Sequence, residues 1–516
     1  MKTNSYVKGI ALSSALNLAS KLLLFVFSIL ATFYFGAQGK TDIYWYISST
    51  LWLVITIFHS LNIAVIIPEA MRRRGQEGLQ SGMHFFTFFF YFFLLASACV
   101  VAAMYASNPV QLLAWISKYQ TETLQAYEKL IALFIPLFPI MLMVSYLSSV
   151  LNAYRHFTMP VLTGLLNNVV TLAFMVLLHR YLDIYVLLVA AYIGNLLNLA
   201  HLLYIMKRDL SWDFSFRWVK MNRLFKENFA MGLFGNIGNF LGKYALNYFA
   251  GGSAPGLFTA YTYGQRIANI PTEVITDQFS SVAAIRINEL TVQQERERRK
   301  NVFMRSTRML IFILAPIAAL FFFFGEPVTA LLYQRGAFGP DDVRHTGTFL
   351  KYLGMLIPLY GISTVVTRLY HAGQIVKFSV IYSTIANILL IALLWLAYSY
   401  WGIWGLPFAL LTQNAINVLA ATIFIRLFFR EINYFKVLWY FVWVLALSMA
   451  ICSGVHYLSG FLMWSWWFKL PLAGMLFTGL YVGINELFHI NGDVSEYLRT
   501  WRHTLSPSQA QKRQAG

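Results

Sequence analysis

Apolar stretches long enough to cross a bilayer follow one another along almost the whole chain, and this leaves few folds open. A helical span needs about 20 predominantly apolar residues. Fourteen stretches of the 516 residues qualify: 9–35, 43–67, 83–105, 130–151, 159–178, 184–205, 229–249, 256–282, 309–332, 346–370, 378–400, 403–425, 437–456 and 463–488. Inside hydrocarbon every backbone polar group must be satisfied within its own segment or in a closed barrel. The expected fold is therefore an all-α polytopic membrane protein with about 14 transmembrane helices. A composition of 58% hydrophobic and 12% charged residues excludes a soluble domain. Lys2 and Lys8 precede the first stretch without a small-residue cleavage signal after it, so it reads as a retained span. Cys99 and Cys452 lie in apolar runs and read as packed thiols, not as a disulfide or metal pair.

The net charge of +18 points to nucleic acid only if its placement is ignored. Sorted by loop, 27 of the 39 basic residues fall with the two termini on one side, eight fall on the other (Lys351 and Lys469, near span ends, counted there), and four lie deeper within spans. That bias expects cytoplasmic termini and no nucleic-acid partner. The run ERERRK at 295–300 reads as a solvated loop that sets topology. HFFTFFFYFF at 84–93 reads as a lipid-facing aromatic surface.

An internal repeat divides the spans. Ala153 and Ala372, Asn168 and Asn387, Asn195 and Asn414, and Asn198 and Asn417 are all 219 residues apart. Two copies of a six-helix unit are expected, 1–208 and 209–430, followed by two further spans in 431–490 and a polar cytoplasmic tail at 491–516. Transporters built from two such halves bind substrate between them and alternate access by rocking.

The four basic residues inside spans are Lys21, Lys243, Arg266 and Arg368. Ionisable groups in a span are costly and mark a bundle interior or water-filled path. Lys21 and Arg266 fall near mid-span, whereas Lys243 and Arg368 lie nearer span ends, where snorkelling is a rival reading. Facing one cavity, the four suit a phosphate or diphosphate, since Arg offers a bidentate fork and Lys a point charge. Span 8 also carries Pro271, Glu273 and Asp277. At 100° per residue both carboxylates fall within roughly 20° of the azimuth of Arg266. They could neutralise Arg266, carry a coupling proton or form a simple helix-face pair. Asn17, Asn168, Asn236, Asn239 and Asn387 read as interhelical hydrogen-bonding residues. No catalytic or metal-binding motif occurs and no cofactor is expected, so the chain reads as a transporter and not an enzyme.

Several stretches resemble the MurJ/MviN family of lipid II flippases within the MATE-like multidrug/oligosaccharidyl-lipid/polysaccharide exporter superfamily. YFGAQGKTDIYWY at 34–46 is similar to that family's FGAxxxTDAFFVA, with Asp42 in place. LNAYRHFTMP at 151–160 resembles LNAxxRFxxP. YTYGQRIANIP at 261–271 resembles YADRLxxxP, which places Arg266 on the family's functional arginine. LLYQRGAFGPDDV at 331–343 and RLYHAGQIVKFS at 368–379 resemble LFxRGAFxxxDV and RxFYAxGDTxTP. The resemblance implies two six-helix lobes, a central cationic cavity for a diphosphate and a groove by spans 13 and 14 for the lipid tail; Asp42, Glu273 and Asp277 are the candidates for coupling or gating. Ser20-Lys21 keeps one charge of SRxxGxxRD, while Leu24, Phe27 and Ser28 replace the rest. Span 2 lacks the family's arginine, and Ile375 replaces the aspartate of GDTxTP.

The expected function is translocation of an undecaprenyl-diphosphate-linked glycan, lipid II or similar. The alternatives are an exopolysaccharide or O-antigen repeat-unit flippase and a MATE-type drug exporter. Expected partners are the lipid-linked oligosaccharide, membrane lipids and, as candidates, enzymes of cell-envelope glycan synthesis. A MATE drug site would need an acidic cavity, which the four intramembrane cations oppose.

Overall fold

A computed structural model describes residues 6–373, 376–461 and 466–496. Ile375, the start of the last apolar stretch and tail residues 497–516 lie outside them. Among the described residues there is no strand, and fourteen long helices carry the spans. They are α1 (Tyr6–Phe35), α2 (Gly39–Glu77), α3 (Leu79–Ala106), α4 (Glu128–Ala153), α5 (Thr158–Leu182), α6 (Tyr185–Leu210) and α7 (Arg223–Ala250). Then come α8 (257–292), α9 (Arg296–Tyr333), α10 (Pro340–Ala372), α11 (Val376–Trp401), α12 (Leu406–Phe428), α13 (Phe435–Gly460) and α14 (Trp466–Phe488). Eleven segments are long and apolar enough to count as spans on those grounds alone. One of these, Ile381–Phe428, runs through α11 and α12. Helices α7 and α8 fall short because of their charged and amide residues.

Two helices contain a widened π turn, and a proline adjoins each. In α2 it spans Asn62–Ile66, just before Pro68; in α8 it spans Thr272–Thr276, directly after Pro271. Proline has no N–H to donate and its ring crowds the carbonyl four residues back, so the ladder opens there. The widened turn also corrects the expected charged stripe on α8. One surplus residue in the turn rotates the C-terminal half of the helix by about 100° relative to a continuous α-helix, so Asp277 leaves the azimuth of Arg266.

The chain forms two compact units: residues 1–262, 333–342 and 383–406 make one, and 263–332, 343–382 and 407–516 the other. In the first, the 84–93 run is packed inward and does not form a lipid-facing surface. Phe85, Phe86, Phe89 and Phe93 are buried, although Phe92 is exposed. Segment 211–222, irregular and left-handed at both Ser211 and Phe214, packs Trp212, Phe214, Phe216 and Trp218 against Phe88, Phe90 and Tyr91 of this run. Trp212 donates its indole N–H to Thr87 Oγ1 at 2.5 Å, and Tyr91 donates to the Phe214 carbonyl at 3.0 Å. Phe88 meets the rings of Phe216 and Trp218. Trp212→Ala removes a fully buried ring, a change that costs about 3–5 kcal/mol. It should lower the unfolding temperature and expose 211–222 to protease, whereas unchanged cleavage would show that Trp212 does not fasten the segment.

The second unit is built on α9, which packs Leu310, Ile311 and Leu314 against α10, α12 and α13. Pro316 leaves the Phe312 carbonyl without its usual helical donor. The Tyr481 hydroxyl of α14 donates to that carbonyl at 3.0 Å. The 295–300 run is more than a solvated loop, because Arg299 is buried against Glu431 and the Phe429 ring. Cys452 is buried as expected, but Cys99 is exposed.

Candidate functional site

Two stretches that carry the motif resemblances, 34–46 and 331–343, meet in the first unit beside residues 256–259. Gly36 adopts φ +60°, and a Cβ there would lie 2.4 Å from the Ala337 carbonyl oxygen. Gly336, also at φ +60°, approaches the Phe33 carbonyl equally closely, while Ala337 donates its N–H to that carbonyl at 2.8 Å. Only glycine combines this backbone conformation with such close approach.

Asp42 lies beside this crossing, buried in the first turn of α2. Its carboxylate accepts from Gly256 N–H at 2.6 Å, Thr259 N–H at 2.7 Å and the Thr259 hydroxyl at 2.6 Å. The first turn of a helix has N–H groups with no intrahelical acceptor and a partial positive charge. Asp42 of one helix thus caps the start of another. Neighbouring Thr41 is held by Gln38, whose N–H it accepts at 2.8 Å and whose carbonyl it donates to at 2.7 Å.

Lys21 is half-buried in the middle of α1. The preceding Ser20 accepts from the Asn168 side chain on α5 at 2.8 Å. On α11, Asn387 donates to Asn239 of α7 at 2.9 Å. Both members of the second pair lie 219 residues after those of the first, so the two repeats make the same bond at the same positions. Asn168, Asn239 and Asn387 therefore join helices, as expected. Asn236 instead bonds the Gly232 carbonyl of its own helix, and Asn17 is exposed. Lys243 is exposed on α7.

The other cations belong to the second unit. Arg266 is half-buried on α8 with its guanidinium 5.9 Å from the Tyr263 ring centre. Glu273, within the π turn, and Asp277, just after it, are exposed, as is Arg368 near the end of α10. The lower half of α8 packs along α10, with Thr276 facing Gly361. Sequence reasoning misses His59, a lone histidine in the apolar run of α2. Its Nδ1 lies 3.2 Å from the Ser149 hydroxyl and 3.4 Å from that of Ser145, both on α4. Among the described residues, no group of three or more His, Cys, Asp or Glu side chains could hold a metal ion.

The sequence profile described as lipid II flippase MurJ matches residues 31–474. The chain belongs to the MurJ family of lipid II flippases. A probable MurJ of Aquifex aeolicus is 21% identical over 366 residues, 70% of this chain and 71% of that protein. One from Rickettsia prowazekii is 21% identical over 142 residues, so the match spans 26% of this chain and only 28% of that relative. A solved MurJ, described as an inward closed conformation, superposes with a TM-score of 0.78 at 19% identity, covering 93% of this chain and all of that one. That likeness establishes the fold. With eleven helices long and apolar enough to cross a membrane, the chain is a multi-pass membrane protein of this family.

Proposed function

We propose that this chain carries an undecaprenyl-diphosphate-linked glycan precursor, lipid II or a similar unit, across the bacterial inner membrane by alternating access. The observation that carries the reading is the MurJ profile match over residues 31–474, which includes an arginine in the span-8 helix. Lys21, Arg266, Arg368 and Lys243 hold the diphosphate, and the repeats 1–208 and 209–430 act as its two lobes. The bias of basic loops supports cytoplasmic termini. Asp42 gates the outward end, and Glu273 balances Arg266 when the substrate is absent. Membrane potential drives return of the empty cationic site, because one charge moved through 100 mV is worth about 2.3 kcal/mol.

A second reading, export of an exopolysaccharide repeat unit, is favoured by one observation. Of the ionic groups the family has in span 1, only Lys21 remains. The test is the amount of lipid II exposed on the outer leaflet in cells depleted of their own lipid II flippase and expressing this chain. Restored exposure is the expected result. A folded, inserted protein that restores none would exclude lipid II and leave the repeat-unit reading.

A further inference from the structure

One cation on the loop between α3 and α4 is held by rings and by no carboxylate. A short helix, Pro109–Ile116, ends in that loop, and Ser117 leaves it in extended form. The Ile116 carbonyl, at a helix end where acceptors lack intrahelical donors, receives the hydroxyls of Tyr46 on α2 and Tyr244 on α7. Lys118, two residues on, sets its ammonium 3.8 Å from the ring centre of Tyr398 on α11. The rings of Phe249 and Tyr248 on α7 lie 5.0 Å and 5.9 Å away. Phe249 and Tyr398 also touch each other, with ring centres 5.5 Å apart. Among the described residues Lys118 forms no ion pair.

The backbone is fitted to the same contact. Gly252 follows α7 at φ +69°, and a Cβ there would lie 2.1 Å from the Lys118 carbonyl oxygen. Glycine alone permits that conformation and that approach. One turn before Gly251, Asn247 donates its side-chain N–H to the Ser49 hydroxyl of α2 at 3.0 Å. All these residues belong to the first compact unit. By sequence, however, Lys118, Tyr46 and Ser49 fall in the repeat 1–208, whereas the three rings and Asn247 fall in 209–430.

The chemistry of the contact suits a bond that forms and breaks. Lys118 is half-buried, and lost solvent lowers its pKa from the ordinary lysine value. Ring faces attract a cation more strongly as it loses water. Release returns the ammonium to water and leaves only neutral rings behind. Breaking a buried ion pair would instead strand an uncompensated charge.

We propose that Lys118 is a positioning residue for transport. Its ammonium, seated on Tyr398 and Phe249, latches the outward ends of α7 and α11 to the α3–α4 loop while the diphosphate site faces the cytoplasm. It leaves the rings when the outward end opens. This inference rests on the reading of the two repeats as lobes that rock.

The test uses the full-length protein in right-side-out membrane vesicles, with Cys99→Ser and a reporter thiol, Ser49→Cys, at the α2–α7 contact. The measurement is the rate at which a membrane-impermeant maleimide labels the reporter from the outward side. Lys118→Met keeps the stem and loses the charge. It should raise that rate about fivefold, the effect of losing one partly desolvated cation–π contact. Lys118→Arg keeps a cation for the rings and should label at the rate of the lysine form, a rescue that a merely space-filling role would not require. If Lys118→Met fails to fold, Tyr398→Leu removes the nearest ring from the other side and should give the same rise. Unchanged labelling in the folded Lys118→Met or Tyr398→Leu protein overturns the proposal. So does labelling of Lys118→Arg as fast as that of Lys118→Met, because charge is then not what holds the loop. Labelling needs no lipid substrate, so failure of the latch and failure of the lipid II reading are told apart.

Discussion

Arg266→Ala should reduce outer-leaflet exposure of the lipid-linked precursor by roughly 10- to 100-fold, the worth of about 1.5–3 kcal/mol of charge-assisted hydrogen bonding to an anion. The argument starts from cost. A guanidinium within a membrane helix is expensive, and α8 bears it half-buried beside Tyr263. Arg266→Lys keeps the charge but loses the bidentate fork, so partial activity is expected. Arg266→Glu reverses the charge and should reduce exposure below detection. The measurement is precursor accessible to an externally added probe, normalised to inserted protein. Full activity in Arg266→Ala would remove Arg266 from the anion site.

The second large effect is expected at Asp42. Replacing it with alanine strands two backbone N–H groups where the structure has excluded water, while the Thr259 hydroxyl keeps Thr41 Oγ1 as an acceptor at 3.1 Å. Each unsatisfied buried donor costs about 1–3 kcal/mol, so a loss of about 3 kcal/mol or more is expected in thermal unfolding. Asp42→Asn retains one acceptor oxygen but turns an amide toward the donors, and about half that loss is expected. The pair separates structure from gating. If Asp42→Asn folds at wild-type levels yet loses transport, the carboxylate has a role in the outward gate. If transport falls only in step with folded protein, Asp42 is a structural cap and its gating assignment fails.

The fourteen helices were readable because span length is a property of local sequence, and Arg266 stood out because charge is rare in such a segment. The asparagine spacing that suggests a repeat has one counterpart in the structure, the matching bonds Ser20–Asn168 and Asn239–Asn387. Other features depend on distant chain. The partners of Asp42 lie 214 and 217 residues away, so its capping role has no local signal. The 84–93 run misled because lipid and protein interior are equally apolar, and hydropathy cannot tell which one a phenylalanine faces. The stripe on α8 misled because periodicity assumes an unbroken 3.6-residue turn, whereas the chain widens after Pro271.

The bond from Tyr481 to the Phe312 carbonyl changes the standing of the last two helices. A chain cut after the second repeat would leave that carbonyl bare in hydrocarbon, where it has no water to turn to. The terminal pair is thus a prosthesis for a defect that Pro316 introduces into α9. A variant without α13 and α14 would have to lose the proline or recruit a new donor, so α14 and the interior of α9 depend on each other.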